Sequence, residues 1–223
     1  MKTIELMGME INDLNVRESL HLTGDYLKNG VLNVIYYISR DILLEAKDSE
    51  DLRNFIQETD IVLPDTKDIL HAAGISSKSR EKEIERNLYF KGLLRVLERD
   101  GKKIYIVADS EQKAASIRAG MDTIQKDLDI IGKYILADEA DAENAVNEIN
   151  GMAPDVIVSA IKSPLHESFI AEQKMKINAK LLVALTPGML TLKEDGTLDH
   201  KGLLNRLRTG FFNKAARNYK KEN

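Results

Sequence analysis

The 223-residue chain has no cysteine and no long hydrophobic run. The absence of cysteine excludes a disulfide framework, thiolate zinc sites and cysteine nucleophiles. No stretch reaches 18 uninterrupted apolar residues, so no membrane-spanning helix is expected. The opening MKTIELMGMEI does not show the long apolar segment and cleavage site of an export signal. We therefore expect an intracellular protein.

The composition is that of a globular protein, with 43% hydrophobic and 30% charged residues. A chain of this length can bury roughly two-thirds of its unfolded surface, so its core needs no metal or disulfide. The length suits one large domain or one domain with an appendage.

The net charge of −4 hides an asymmetry, because residues 201–223 carry +6 and the first 200 residues carry −10. Leucine and phenylalanine residues lie among the cations of this tail, which makes it an amphipathic segment. Such a segment could lie on an anionic membrane surface, or dock its apolar stripe on its own domain with the cations in water. Nucleic acid is disfavoured as a partner, because the acidic body would repel phosphates.

Short apolar runs alternate with helical patterns, which predicts an α/β fold with a doubly wound, mostly parallel, Rossmann-like sheet. A basic helical C-terminal appendage follows it. Residues 4–11 predict an antiparallel hairpin or edge strand. The six runs that predict buried strands are 31–37, 60–63, 103–108, 130–136, 155–160 and 180–186.

Helix boundaries are indicated by caps and glycines. Asn15 and Glu18 have the spacing of a capping box, and Gly30 is expected to end that helix. A second helix is expected from Asp109 to Gly120, and a third with Ser163 as its cap. Residues 78–100 predict one long charged helix.

Ligands of doubly wound sheets bind at the carboxyl ends of the strands. This rule selects five loops: Ile38–Asp41, Pro64–Lys67, Asp109–Glu111, Ile161–His166 and Thr186–Met189. The dinucleotide, P-loop and nucleophile-elbow motifs are all absent. The four histidines are not at metal-ligand spacing, so no zinc site is expected. With these classes excluded, we expect a binding site built from the loops at the strand ends.

In order and spacing, several segments resemble the TagA/WecG/CpsF family of bacterial glycosyltransferases over almost the whole chain. The segments that carry the resemblance are Met7–Leu14, Ile61–Asp65, Gly101–Val107, Ile149–Val158 and Ser163–Glu167. Some of the family's motif positions are changed: Tyr37-Ile38-Ser39 replaces Thr-x-Asn, Thr66 replaces a glycine, Ala108-Asp109 replaces paired glycines, His166 replaces a glutamine, and Leu204-Asn205 replaces Glu-Trp.

The resemblance implies transfer of an N-acetylmannosamine-like sugar from a UDP donor to an acceptor linked to undecaprenyl diphosphate, in the synthesis of cell-surface polymers. It implies no bound metal and no cofactor. It also implies a Rossmann-like domain over 1–195 and a basic appendage over 196–223 that meets the inner face of the cell membrane. Whether the chain forms a homo-oligomer stays open.

Asp65 is the candidate catalytic base, because a carboxylate at the end of a strand can reach the proton of an acceptor hydroxyl. The family's proposed base falls at this position. Alternatively, Asp65 caps the helix that follows it. His166 could act as an acid or donate to a diphosphate, or it could be a surface histidine.

Further candidates for substrate binding each have a structural alternative. Tyr37 and Ser39 could line a pocket, although a tyrosine that ends a strand is more often core. Arg80 or Arg86 could bind a diphosphate, or pair with acids on the same helix. Asp109 and Ser163 lie in the loops expected to hold the nucleotide diphosphate, where the Asp109 carboxylate would repel it. Tyr134 corresponds to a tyrosine of the family.

The tail cations Arg206, Arg208 and Arg217 could hold lipid phosphates, or lie on a solvated helix face. Three functions follow: a transferase, a non-catalytic relative that binds or scaffolds, or a nucleotide-binding module whose tail packs permanently on the body. Convergence of Asp65, His166 and an arginine on one open cleft would favour the enzyme.

Overall fold

The computed structural model of the chain describes residues 2–190 and 203–222, with the side chains of the last helix described at 209–219. The chain begins with an antiparallel hairpin of β1 (Thr3–Leu6) and β2 (Met9–Asn12). Six parallel strands then form one sheet in the order β4-β3-β8-β7-β5-β6. These strands are β3 (Asn33–Ile38), β4 (Ile61–Pro64), β5 (Ile104–Ala108), β6 (Ile130–Ile135), β7 (Val156–Ala160) and β8 (Leu181–Ala184).

Helices connect the strands and cover the sheet. The α-helices are α1 (Val16–Tyr26), α2 (Arg40–Ala46), α3 (Glu50–Glu58), α4 (Lys67–Ala72), α5 (Lys78–Glu85), α6 (Leu88–Arg99), α7 (Glu111–Ile124), α8 (Ala142–Met152), α9 (Leu165–Gln173) and α10 (Leu203–Glu222). Short 3-10 turns span Glu139–Asp141, Lys174–Lys176 and Pro187–Leu190.

Two apolar cores lie on opposite faces of the sheet, because neighbouring strand residues point to opposite sides. Tyr36 belongs to the core that contains the hairpin and residues of α2, α3, α8, α9 and α10. Tyr37 belongs to the other core, under α1, α6 and α7. Strands covered on both faces have to be apolar throughout, which is why the predicted runs do not alternate with polar residues.

The strand predictions are confirmed, since each predicted run contains or overlaps a strand and residues 4–11 form the hairpin. The capping box of Asn15 and Glu18 is also confirmed, with both reciprocal hydrogen bonds present. The doubly wound parallel sheet therefore follows from the sequence pattern.

Four helix predictions were wrong in detail. The first helix ends at Tyr26, before Gly30. The helix predicted at Asp109 is capped by Ser110 and continues through Gly120 to Ile124. Pro164 rather than Ser163 occupies the N-cap position of α9, after a cis peptide bond.

The fourth error concerns 78–100, which forms two helices instead of one. Asn87 lies between α5 and α6 with a φ of +52°. Asparagine visits this left-handed region more readily than most residues, so it can break a helix here.

The C-terminal helix α10 docks on the domain. Phe212 is fully buried and Ala216 nearly so, both within the core under the hairpin. A side chain at Gly8, in the hairpin turn, would collide with the hydroxyl of Tyr219, since an added Cβ would lie 2.6 Å from it. Residues 191–202, with the predicted domain boundary at 195, lie outside the described residues. Within the described part, no helix is long and apolar enough to cross a membrane.

We expect Phe212→Ala to lower the free energy of unfolding by up to about 3–5 kcal/mol, because it removes a fully buried aromatic ring. Phe211→Ala is the matched control: its side chain is 72% exposed, so a change within about 0.5 kcal/mol is expected. Denaturant titration of both variants measures the difference. Equal losses would contradict the docking of α10.

Candidate functional site

A cleft lies at the carboxyl ends of β3 and β4, between these strands and helices α1, α5 and α6. It is partly open to solvent, and its cavity volume is about 40 Å³. Its lining is Leu14, Val16, Ser19, Tyr37, Leu63, Pro64, Asp65, Arg80, Glu83, Ile84, Asn87, Leu88 and Tyr89. The position is the one expected for a ligand of a doubly wound sheet.

Asp65 follows β4 directly and is fixed by both its backbone and its side chain. Its N–H donates to the carbonyl of Ile38 at 3.1 Å. Its Oδ2 accepts from Thr186 Oγ1 at 2.9 Å, whereas its Oδ1 is buried without a hydrogen-bond partner. Thr66, not Asp65, occupies the N-cap position of α4, so the alternative role as helix cap is wrong.

Burial raises the pKa of Asp65 to about 7, against the opposing effects of the Thr186 hydrogen bond and the charge of Arg40. Removal of a carboxylate from water disfavours its charged form. With such a pKa, the carboxyl is present in both forms near neutral pH and can take up a proton. This is the property required of a general base.

Two buried donors line the same cleft. Asn87 Nδ2 has no hydrogen-bond partner. Arg80 Nε lies 3.5 Å from Asp13 Oδ1, an ion pair without hydrogen-bond geometry, and Glu83 Oε2 accepts from Arg80 Nη1 at 2.6 Å. Since buried polar groups are normally hydrogen-bonded, the unpaired Asp65 Oδ1 and Asn87 Nδ2 around one cleft indicate a polar ligand.

Aromatic rings form one wall of the cleft. Tyr37 and Tyr89 have ring centroids 6.3 Å apart, and the Tyr89 hydroxyl is hydrogen-bonded to Thr23 at 2.7 Å. Burial raises the pKa of both tyrosines, so both stay neutral. Tyr37 thus lines the cleft, as one of its two predicted roles required. Tyr89 was not predicted, because its sequence pattern is that of a core helix.

Ser39 and Arg86, by contrast, do not line the cleft. Ser39 caps α2 by accepting from the N–H of Ile42 at 3.2 Å. Arg86 is exposed at the end of α5, so Arg80 is the arginine that faces the cleft. Asn87 was missed as well, although an asparagine within a charged helical pattern could have signalled the break.

Asp109 joins the loops that follow β5 and β7. Its Oδ2 accepts from Lys113 Nζ at 2.6 Å and from the N–H of Lys162 at 2.8 Å. Burial alone would raise the pKa of Asp109, but these hydrogen bonds outweigh it and keep the pKa below its usual value. The ammonium of Lys113 offsets the carboxylate, which weakens the expected repulsion of a diphosphate. Ser163 Oγ, in the second loop, is buried without a partner.

His166 is buried beneath the sheet, outside the lining of the Asp65 cleft. Its Nε2 lies 2.8 Å from Ser159 Oγ in a shared hydrogen bond. Burial and, to a lesser degree, the charge of Lys113 lower its pKa to about 3, so the ring is neutral. His166 is therefore neither a surface histidine nor an acid that titrates near neutral pH, because α9 turns it toward the interior. Asp65 and Arg80 therefore converge, and His166 does not.

The remaining candidates lie apart from the cleft. Tyr134 is on β6, at the opposite edge of the sheet from β4, and donates to Asp141 at 2.7 Å, which raises its pKa to about 12. Arg217 is exposed on α10 beside a groove that also contains His71. The side chains of Arg206 and Arg208 lie outside the described residues. Among the described residues, no cluster of three or more His, Asp or Glu side chains could hold a metal ion.

Comparison with known proteins identifies one family. The model of the Glycosyl transferase WecG/TagA/CpsF family matches residues 4–188. The match includes the hairpin except its first residue, all six strands of the sheet and the whole lining of the Asp65 cleft, and it ends before α10. No curated protein matches the chain.

We expect Asp65→Asn to change how stability depends on pH. Between about pH 4 and pH 7 the native Asp65 binds a proton that the unfolded chain has released, so the free energy of unfolding of the unmodified protein should fall as pH rises. Asp65→Asn has no such proton to release. Its free energy of unfolding, relative to that of the unmodified protein, should therefore rise by up to about 4 kcal/mol from pH 4 to pH 8. Denaturant titrations across this range measure it.

The exposed Asp127→Asn is the control and should show no comparable gain. A parallel pH dependence of Asp65→Asn and the unmodified protein would contradict the burial of an ionisable Asp65.

Proposed function

The chain belongs to the WecG/TagA/CpsF family of glycosyltransferases, and from this premise we propose that it transfers an N-acetylhexosamine, such as N-acetylmannosamine, from a UDP donor to a sugar carried on undecaprenyl diphosphate. The observation that carries the proposal is the Asp65 cleft. It combines an unpaired carboxylate oxygen with one unpaired amide donor, Asn87 Nδ2, beside the Arg80 guanidinium at the carboxyl edge of the sheet.

Asp65 is the base in this mechanism. Its Oδ1 takes the proton of the acceptor hydroxyl while that oxygen attacks the anomeric carbon of the donor sugar. The bond between that carbon and the diphosphate oxygen breaks, and UDP leaves with the electron pair. Arg80 and Asn87 donate hydrogen bonds to sugar oxygens in the cleft, which orients the reacting atoms.

The donor diphosphate lies at the loops that follow β5 and β7. The N-termini of α7 and α9 begin there, and helix N-termini favour anions. Lys113 and the unpartnered Ser163 Oγ are also present. Fixed donors and cations of this kind can stabilise a leaving diphosphate without a metal ion.

The C-terminal helix supports attachment at the inner face of the cell membrane. Phe212 and Ala216 face the domain, whereas Phe211, Lys214 and Arg217 face outward. An exposed aromatic ring beside cations suits the surface of anionic lipids. Docking on the domain and contact with a membrane are thus compatible, because they use opposite sides of α10. Attachment would bring the enzyme to its lipid-linked acceptor.

A non-catalytic relative is the second candidate. It is favoured by the residues Tyr37, Asp109 and His166, which differ in chemical type from the residues of the family at these positions. His166 is in addition a buried neutral group. The cleft and the pKa of Asp65 favour the enzyme.

We expect Asp65→Asn to lower the transfer rate about 10²- to 10⁴-fold, because it removes the general base. Transfer is measured as UDP released from UDP-N-acetylmannosamine with a short-chain prenyl-diphosphate-linked sugar as acceptor. Calorimetry should show that UDP-sugar binding survives the change. The rate of the unmodified enzyme should rise with pH through about 7 as Asp65 loses its proton.

Asp127→Asn should transfer at the unmodified rate. Retention of full activity by Asp65→Asn would reject the base, and no binding of any UDP-N-acetylhexosamine would favour the non-catalytic relative.

Binding to vesicles of phosphatidylglycerol and phosphatidylcholine tests the membrane proposal. Removal of both outward cations with Lys214→Ala and Arg217→Ala should weaken binding about 30-fold, at about 1 kcal/mol per cation. The control pair Arg95→Ala and Lys126→Ala, which removes two exposed cations of the body, should bind as the unmodified chain does. Equal effects of both pairs would reject α10 as the contact.

A further inference from the structure

The Asp65 cleft is too narrow for the sugar that the proposed function places in it. Its cavity volume of about 40 Å³ has room for a few water molecules, since one water needs roughly 10–15 Å³. Pockets that bind small molecules usually measure about 300–1,000 Å³. A sugar can therefore enter only after one wall of the cleft has moved.

Four of the five elements around the cleft are fixed by packing. Strands β3 and β4 are buried throughout. Helix α1 is joined to α6 by the hydrogen bond between Thr23 and Tyr89. Helix α6 packs through five buried side chains: Tyr89, Phe90, Leu93, Leu94 and Leu97. Helix α5, by contrast, buries no side chain. Segments with few buried contacts open at the lowest cost, so α5 is the wall that can move.

The backbone at both ends of α5 is suited to a hinge. Gly74, between α4 and α5, has a φ of +88°, and a side chain at this position would meet no atom within 4 Å. Asn87, between α5 and α6, has a φ of +52°. Left-handed residues interrupt a helix, so α5 is separated from both neighbours by a break. Hinge motions require such a few positions, at the ends of elements, that can change their backbone angles.

Two polar contacts hold α5 against α4. Lys67 Nζ lies 2.6 Å from Glu85 Oε1, and His71 Nε2 lies 3.0 Å from Glu81 Oε1. We call these two contacts the α5 pairs. Their side chains are between 23% and 47% exposed. Because polar pairs in contact with water contribute little to stability, they can close α5 without locking it.

The two donors of the cleft move with this segment. Arg80 is on α5, where Glu83 of the same helix accepts from it at 2.6 Å, whereas Asp13, outside the helix, is 3.5 Å away. Asn87 is a hinge residue, and its unpaired amide lines the cleft. A ligand that accepts hydrogen bonds from both donors would therefore favour the closed position of α5.

We propose that α5 is a lid over Asp65, which swings open on Gly74 and Asn87 to admit the acceptor sugar and is held closed by the α5 pairs. The proposal rests on the proposed function, which brings the acceptor hydroxyl to Asp65. Closure brings the donors of α5 to the sugar and keeps water from competing with the acceptor hydroxyl.

Alkylation of a single cysteine tests the lid, because the chain has no cysteine of its own. Ser19→Cys places a thiol in the lining of the cleft, at a position that is 1% exposed. Iodoacetamide should react with this thiol at a rate that follows the population of the open form. Loss of both α5 pairs in Lys67→Gln with Glu81→Gln should raise the rate about 2- to 30-fold, the range that two exposed pairs account for.

Matched variants separate lid opening from general loosening. Arg118→Gln with Lys133→Gln removes two exposed ion pairs near β6 and should leave the rate at Ser19→Cys unchanged. Ser159→Cys, buried against His166 of α9, should react much more slowly, because only global unfolding exposes it. Leu14→Cys, a second buried position in the lining, gives the same test if Ser19→Cys does not fold.

Two results would overturn the lid. One is a lining cysteine that reacts no faster than Ser159→Cys. The other is a rate at the lining cysteine that does not rise after loss of both α5 pairs, or that rises equally in Arg118→Gln with Lys133→Gln.

Protection by ligands separates the lid from the proposed function. UDP and the short-chain prenyl-diphosphate-linked acceptor cannot react with each other, and together they should slow alkylation by filling the cleft and closing α5. If the α5 pairs control the rate but these ligands do not change it, the lid stands and the proposed acceptor site is wrong. If the ligands slow alkylation but loss of the α5 pairs changes nothing, the acceptor site stands and the lid is wrong.

Discussion

A sheet made only of parallel strands has to be covered on both faces, and this constraint arranges the rest of the molecule. Each of the five connections between successive strands of this sheet crosses over one face, so helices accumulate on both sides. The C-terminal helix α10 takes part in this covering, because Phe212 completes the core under the hairpin. The appendage is thus part of the packed structure as well as a basic tail.

The same parallel direction brings the carboxyl ends of all six strands to one edge, where two separate sets of polar groups collect. The Asp65 cleft lies at the ends of β3 and β4, and the Asp109 contact joins the loops after β5 and β7. An acceptor at the first position and a donor diphosphate at the second would place the reacting atoms along this edge. In the proposed reaction each substrate uses one of these two sets.

Burial gives the candidate site its chemical properties. It raises the pKa of Asp65 toward neutral and lowers that of His166, so one group can exchange a proton and the other stays neutral. The charge of Arg40 opposes the effect of burial on the pKa of Asp65. In this arrangement the environment, and not the residue type alone, decides which side chain can act as a base.

The amino-acid pattern alone predicts the strands, their parallel arrangement, the capping box and the candidacy of Asp65, because these depend on local apolar runs, caps and a short motif. The folded chain was needed to show that Arg80 and Asn87 join Asp65, that His166 is buried, and that α10 docks through Phe212 while Phe211 stays outside. The reason is that a side chain's neighbours and its distance from water come from segments remote in the chain. Adjacent phenylalanines with the same local pattern therefore have opposite environments.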